Sequence, residues 1–205
     1  MEISQWPLVG TDETFYLLVE EEERNKARVI LPALYEQEGN PHWEPLFLGT
    51  PWQAHERRSP LLIQTHAGSP FVHWLQQHSL EAGELRGLII ESTATLDQVA
   101  EWARAALRVT FDGQRKGLLR FYDPYVWHQL EPANISDGNP ISRVHYWLKW
   151  PRENEGRWLS SESPMPVYLP NSSLSSDQQQ ALAQLPDPLY TNEVCQPTGK
   201  EAEHV

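Results

Sequence analysis

Eight histidines, one cysteine and scattered carboxylates are the side chains of this 205-residue chain that could do chemistry. Zinc on a helix needs two histidines four apart on one face, with further ligands nearby. His73 and His78 are five apart, which sets them ~140° apart around a helix. No H-E-x-x-H and no C-x-x-C occurs. His66, His128 and His145 stand alone and read as surface or packed histidines. Cys195 lies in an aperiodic stretch where nothing orders a base beside it, so it is a poor nucleophile. The phosphate cradles G-x-G-x-x-G and G-x-x-x-x-G-K-[ST] are missing, as is the G-x-S-x-G elbow; Gly68-Ser69-Pro70 lacks its second glycine. No metal and no cofactor is expected.

Asp123 is the best acid for an enzyme. It closes a strand expected over residues 117–123, just before Pro124. Ligands gather at strand C-termini in open α/β sheets, so a small cytoplasmic hydrolase using Asp123 with a histidine is one reading. In the other, the carboxylate caps local backbone donors or pairs with a nearby arginine. No second acid or base at a telling spacing joins it.

The elements that would position these groups follow from periodicity. Residues 15–19 form an apolar run that reads as a strand buried on both faces. Strands are also expected over 44–48, 60–65, 88–90 and 144–150, with 157–160 returning as the partner strand of a hairpin. Helical spacing marks residues 25–37, with Pro32 as a kink or in the first turn. Ser69-Pro70 is an N-cap followed by proline, and Thr95 to Gln98 is a capping box opening a helix to about residue 108. Ser176-Asp177 can cap a short helix through 185. The alternation of strands and helices predicts an α/β fold: a layered mixed sheet, largely parallel, with an antiparallel C-terminal hairpin and helices packed on it. Residues 1–168 form the expected domain, and 169–205 a C-terminal extension with a short helix and a mobile tail.

Composition excludes whole classes of partner. Sixteen basic against 28 acidic residues leave a net charge of −12, which disfavours nucleic acid and anionic membrane surfaces. No apolar run approaches the ~18 residues of a membrane span. The N-terminal residues lack a signal peptide's basic start and apolar stretch, and a single cysteine makes no internal disulfide, so the cytoplasm is expected. Nine tryptophans are many for this length. Trp43, Trp52, Trp147 and Trp158 fall in loops or on the polar side of expected strands, where each either packs under a loop or anchors a protein partner. Trp74 and Trp102, on helices, read as core.

The run Arg120-Phe121-Tyr122-Asp123-Pro124, continued by Tyr125-Val126-Trp127, resembles the R-F-Y-D-P-r-V signature of a bacterial family of type VI secretion effector chaperones or adaptors, the domain-of-unknown-function 4123 group. Leu31 to Tyr35, Ser59 to Ile63, Leu85-Arg86-Gly87 and Asn139-Pro140-Ile141 resemble other family segments in the same order, so the likeness spans residues 13–162. The resemblance implies a protein without enzymatic activity that holds an effector toxin and helps load it onto the VgrG spike. It supplies no catalytic residues. Arg120, Phe121, Tyr122, Asp123 and Pro124 are then a structural motif, with Arg120 and Asp123 clamping a strand end.

Overall fold

The computed structural model describes residues 2–3, 14–20, 23–24, 27–80, 87–111, 115–130, 141–149, 156–161 and 174–185. Its strands are β1 (Glu2–Ile3), β2 (Thr14–Val19), β3 (Glu23–Arg24), β4 (Ala27–Arg28), β5 (His42–Pro45), β6 (Leu61–His66), β7 (Gly87–Ser92), β8 (Arg108–Phe111), β9 (Arg115–Leu118), β10 (Ile141–Leu148) and β11 (Arg157–Ser161). The α-helices are α1 (Ile30–Gln37), α2 (Pro70–Leu75), α3 (Leu96–Ala106), α4 (Pro124–Leu130) and α5 (Ser176–Ala183). A 3-10 stretch covers Gln53–Arg58, and a π turn, Gln76–Leu80, extends α2.

Seven strands form the main sheet in the order β1-β11-β10-β7-β2-β6-β5, and every neighbouring pair is antiparallel. The expectation of a largely parallel sheet is therefore wrong. Two helical crossovers each skip one place, and the connection from β7 to β10 through α3 and α4 joins antiparallel neighbours. β6 and β7, joined through α2, point the same way with β2 running oppositely between them; β2 and β5, joined through α1, enclose β6 in the same manner. Element alternation shows that a crossover is made, but not that another strand fills the gap.

Both faces of the sheet are buried, which sorts alternate residues into two cores. Phe15, Leu17, Val19, Ile63 and Ile89 face α1 and α2. Tyr16, Leu18, Leu62, Leu88, Ile90 and Val144 face α3, α4 and the small β8–β9 hairpin. The result is a three-layer α/β arrangement around a wholly antiparallel centre.

Local chemistry explains most helix starts. Pro32 sits in the first turn of α1, where its missing N–H costs nothing. Ser69 accepts from Val72 N–H at 3.2 Å ahead of Pro70. Thr95 and Gln98 satisfy each other's backbone donors at α3, as the capping-box pattern predicts. At α5 the capping box is Ser175 with Gln178, one residue before the expected cap; Leu174, 4% exposed, and Leu182 join the same core as α3 and α4.

Three segments depart from expectation. The strand read over 44–48 stops at Pro45, after which Leu46 N–H donates to Pro60 O at 3.0 Å and the chain turns. Residues 108–111, the end of the expected helix and beyond, form β8 against β9. The strand read over 117–123 ends at Leu118, and residues 124–130 are helical. The expected turn at Asp112-Gly113, the tail from 186 and Cys195 lie outside the described residues.

Because each face of β6 meets a core, neighbouring substitutions on opposite faces should hurt alike. Leu62→Ala and Ile63→Ala are each expected to cost ~2–5 kcal/mol in urea unfolding. A near-neutral result at either position would show that face to be open.

Candidate functional site

The Arg120–Pro124 motif is a tether between layers. Phe121 is fully buried and touches three aromatic rings: Trp102 edge-on at 5.6 Å, Tyr122 at 5.9 Å and Trp127 at 6.4 Å. Arg120 reaches Glu20, beside the end of β2, at 2.6 Å, and its guanidinium lies 5.9 Å from the centre of the Tyr122 ring. Burial, followed by the charge of Glu20, pushes the Tyr122 phenol up out of the ordinary tyrosine range.

Asp123 is 3% exposed and caps α4: its carboxylate accepts from Tyr125 N–H at 2.9 Å, and its carbonyl from Trp127 N–H at 2.9 Å. Pro124 occupies the first helical position. The aspartate therefore opens a helix; it does not end a strand. Two side chains then fix α4 to the sheet: Tyr125 OH donates to Lys149 O, and His128 Nδ1 lies 3.1 Å from Tyr146 OH.

The other described histidine contacts are internal to the fold. His73 Nδ1 lies 3.0 Å from Ser69 O, and His78 Nδ1 lies 2.9 Å from Trp74 O, its ring stacked on Trp74. His145 is 2% exposed, with Nε2 2.7 Å from Glu91 Oε1. An ionised carboxylate only accepts, so Nε2 carries the proton. Arg143 approaches the other Glu91 oxygen at 3.7 Å. Glu91 borders a polar cleft of about 730 Å³ at the end of the sheet where β2 begins and β7 finishes. Two hydroxyls of that cleft are committed internally: Tyr16 OH donates to Ala94 O at 2.5 Å, and Ser142 OH to Glu91 O at 2.8 Å. No group of three or more metal-ligating side chains occurs among the described residues.

The four tryptophans picked from sequence separate into two places. Trp147 and Trp158 are cross-strand partners in the β10–β11 hairpin, with ring centroids 5.5 Å apart. Trp158 is 3% exposed, so its expected role as a surface anchor is corrected: the alternation of β11 points it into the core below α1 and α2. Trp147 is half-buried against the same core, and Gly156 lies so close that an added Cβ would meet its ring at 2.5 Å.

Trp43 and Trp52 lie near the β5 end of the described sheet. Trp43, on the edge strand β5, is half-buried and its Nε1 donates to Tyr35 OH at 3.1 Å. Trp52, also half-buried, packs 6.4 Å from Phe47. Two large apolar side chains that the sequence reading did not single out stand exposed here: Tyr35 at 57% and Leu48 at 44%. They bracket β5, since Tyr35 is bonded to Trp43 and Leu48 N–H donates to Pro45 O at 3.3 Å. Helical spacing groups Tyr35 with Val29, Ile30 and Leu34, but the buried stripe of α1 is Ile30, Ala33 and Leu34, which leaves Tyr35 one position past its edge and outside.

These features define a three-layer α/β protein with a braced interior and an aromatic rim along one sheet edge. Residues 15–137 match the family described as a domain of unknown function (DUF4123). That is more than half of the chain, and the chain belongs to this family. The match opens on β2 and takes in the Arg120–Pro124 motif; the β10–β11 hairpin and α5 lie beyond it. No curated protein and no solved structure matches the chain. No described helix is long and apolar enough to cross a membrane.

Two measurements test the roles assigned to buried groups. Asp123→Ala should cost ~1 kcal/mol by loss of the α4 cap, and Asp123→Asn, which keeps an acceptor, should cost less. Equal losses in chemical unfolding would remove the capping role. Burial holds the His145 imidazole below its ordinary value of 6.5, although Glu91 pulls the other way. The unfolded chain then takes up the proton first. The contribution of neutral His145 is complete above pH 6.5 and declines as pH falls below it. His145→Gln should flatten that part of the stability-against-pH curve; an unchanged slope would show that His145 does not titrate as described.

Proposed function

We propose that this chain is a non-enzymatic adaptor that binds a type VI effector toxin and helps load it onto the VgrG spike. Three lines support the reading: membership of the family, the resemblance of the Arg120–Pro124 run, and the aromatic rim at the β5 edge. The rim carries the argument. Partners are gripped by a few large side chains that are accessible before binding and held in a fixed geometry. Tyr35 and Trp43 meet this description, since the hydrogen bond between them reduces their freedom while leaving Tyr35 outside. Leu48 extends the apolar surface past the end of β5. The motif residues contribute indirectly by keeping α4 and β2 in register, and no bond is made or broken by them.

The test is co-expression with a type VI effector encoded beside this chain, followed by affinity capture. A stable complex is expected. Tyr35→Glu and Leu48→Glu alter exposed positions, so folding should change by less than ~0.5 kcal/mol. Capture by either variant should fall about tenfold or more, as for central anchors of an interface. Elution of the wild-type chain alone, without the effector, would overturn the adaptor reading. Full capture by both variants would move the contact elsewhere.

A further inference from the structure

A second surface lies where the loop after β5 meets the β8–β9 hairpin. It is a groove of about 350 Å³, lined by Pro51, Trp52, Arg108, Val109, Lys116 and Gly117. Its apolar part is formed by Trp52, half-buried, while Val109, 2% exposed, belongs to the core beneath. Arg108 and Lys116 are both exposed, and neither has an ion-pair partner among the described residues. Thr110 faces Lys116 across the hairpin, and Arg108 is two residues from Thr110 on the same strand. The two cations therefore share one face of the hairpin as diagonal neighbours.

Like charges set side by side repel, and a carboxylate placed between them relieves the repulsion. In a chain of net charge −12, a cationic patch beside a half-buried tryptophan is a local reversal of the general sign. From this we infer that the groove binds an acidic peptide segment of a protein partner, one aliphatic or aromatic side chain entering against Trp52 and carboxylates flanking it on Arg108 and Lys116. The volume suits one such side chain with its neighbouring backbone. Two cations against that overall charge make no phosphate-tracking surface, which favours peptide over nucleic acid. The inference deepens the adaptor reading by naming the chemistry of the segment gripped, and it rests on that reading only for the identity of the partner.

The probe is a fluorescein-labelled nonapeptide with a central leucine flanked by glutamate and aspartate, titrated with the full chain in fluorescence anisotropy. Binding should weaken as NaCl rises from ~50 to ~300 mM, because these charges are exposed. Arg108→Glu combined with Lys116→Glu should lower affinity at least about tenfold while circular dichroism and Tm stay near wild type. Trp52→Ser should lower it independently of salt. A peptide with lysine in place of its acids should not bind. No binding of the acidic peptide to the wild-type chain, equal binding of the lysine peptide, or tighter binding of a nine-nucleotide DNA strand would each overturn the proposal. So would a change in molecular mass on charge reversal, which would make the groove a contact between copies. Capture of the effector separates the two readings. If wild-type and charge-reversed chains capture it equally, the groove assignment falls and the adaptor reading stands. If the peptide binds as described and wild type captures no effector, the adaptor reading falls and the groove stands.

Discussion

The molecule is organised by the need to cover β2 on both sides. This strand has apolar side chains in both alternations: Phe15, Leu17 and Val19 one way, Tyr16 and Leu18 the other, all 2% exposed or less. A strand of that kind is stable only at the centre of three layers. β6 and β7 flank it, α1 and α2 close one face, and α3 with the β8–β9 hairpin closes the other. Glu20, just past its end, is where Arg120 attaches the motif. Packing therefore sets the position of the family motif.

Where structure was written in short-range chemistry, the sequence was legible. The Thr95–Gln98 box, the Ser69-Pro70 start and the doubly buried β2 need only neighbouring residues to be recognised, and all three are present. Strand direction is a different kind of information. It depends on which distant segment occupies the place a crossover leaves open, and neither β6 nor β7 carries a mark that β2 will lie between them. Asp123-Pro124 shows a subtler failure. It has the same N-cap and first-position proline as Ser69-Pro70, yet the apolar residues before it suggest a strand running to its end. The helical phase of Trp127 and Leu130, both buried, was the competing signal.

The tryptophans divide by the same logic. In the hairpin, period-two alternation decides their fate, and Trp158 goes inward opposite Trp147. Around β5 no described strand covers the outer side, and Trp43 and Trp52 are half-exposed while Tyr35 and Leu48 lie outside. The buried aromatic cluster around Phe121 holds the layers together, while Tyr35 stays on the surface. Chemistry-bearing groups follow the interior pattern: Asp123 serves a helix end, and Glu91 serves His145 and Arg143.

The edge strand has a consequence for how copies of this chain behave in a crowded solution. Leu46 N–H donates inward to Pro60 O, so antiparallel alternation turns the backbone of Pro45 outward. Proline has no hydrogen to offer there, and its carbonyl already accepts from Leu48 N–H at 3.3 Å and from Arg104 at 3.4 Å. Of the four residues of β5, this leaves Trp43 as the one outward backbone position between His42 and Pro45. Among the described residues a margin so short gives an incoming strand almost no ladder to build on, which guards against runaway sheet stacking and fibril growth.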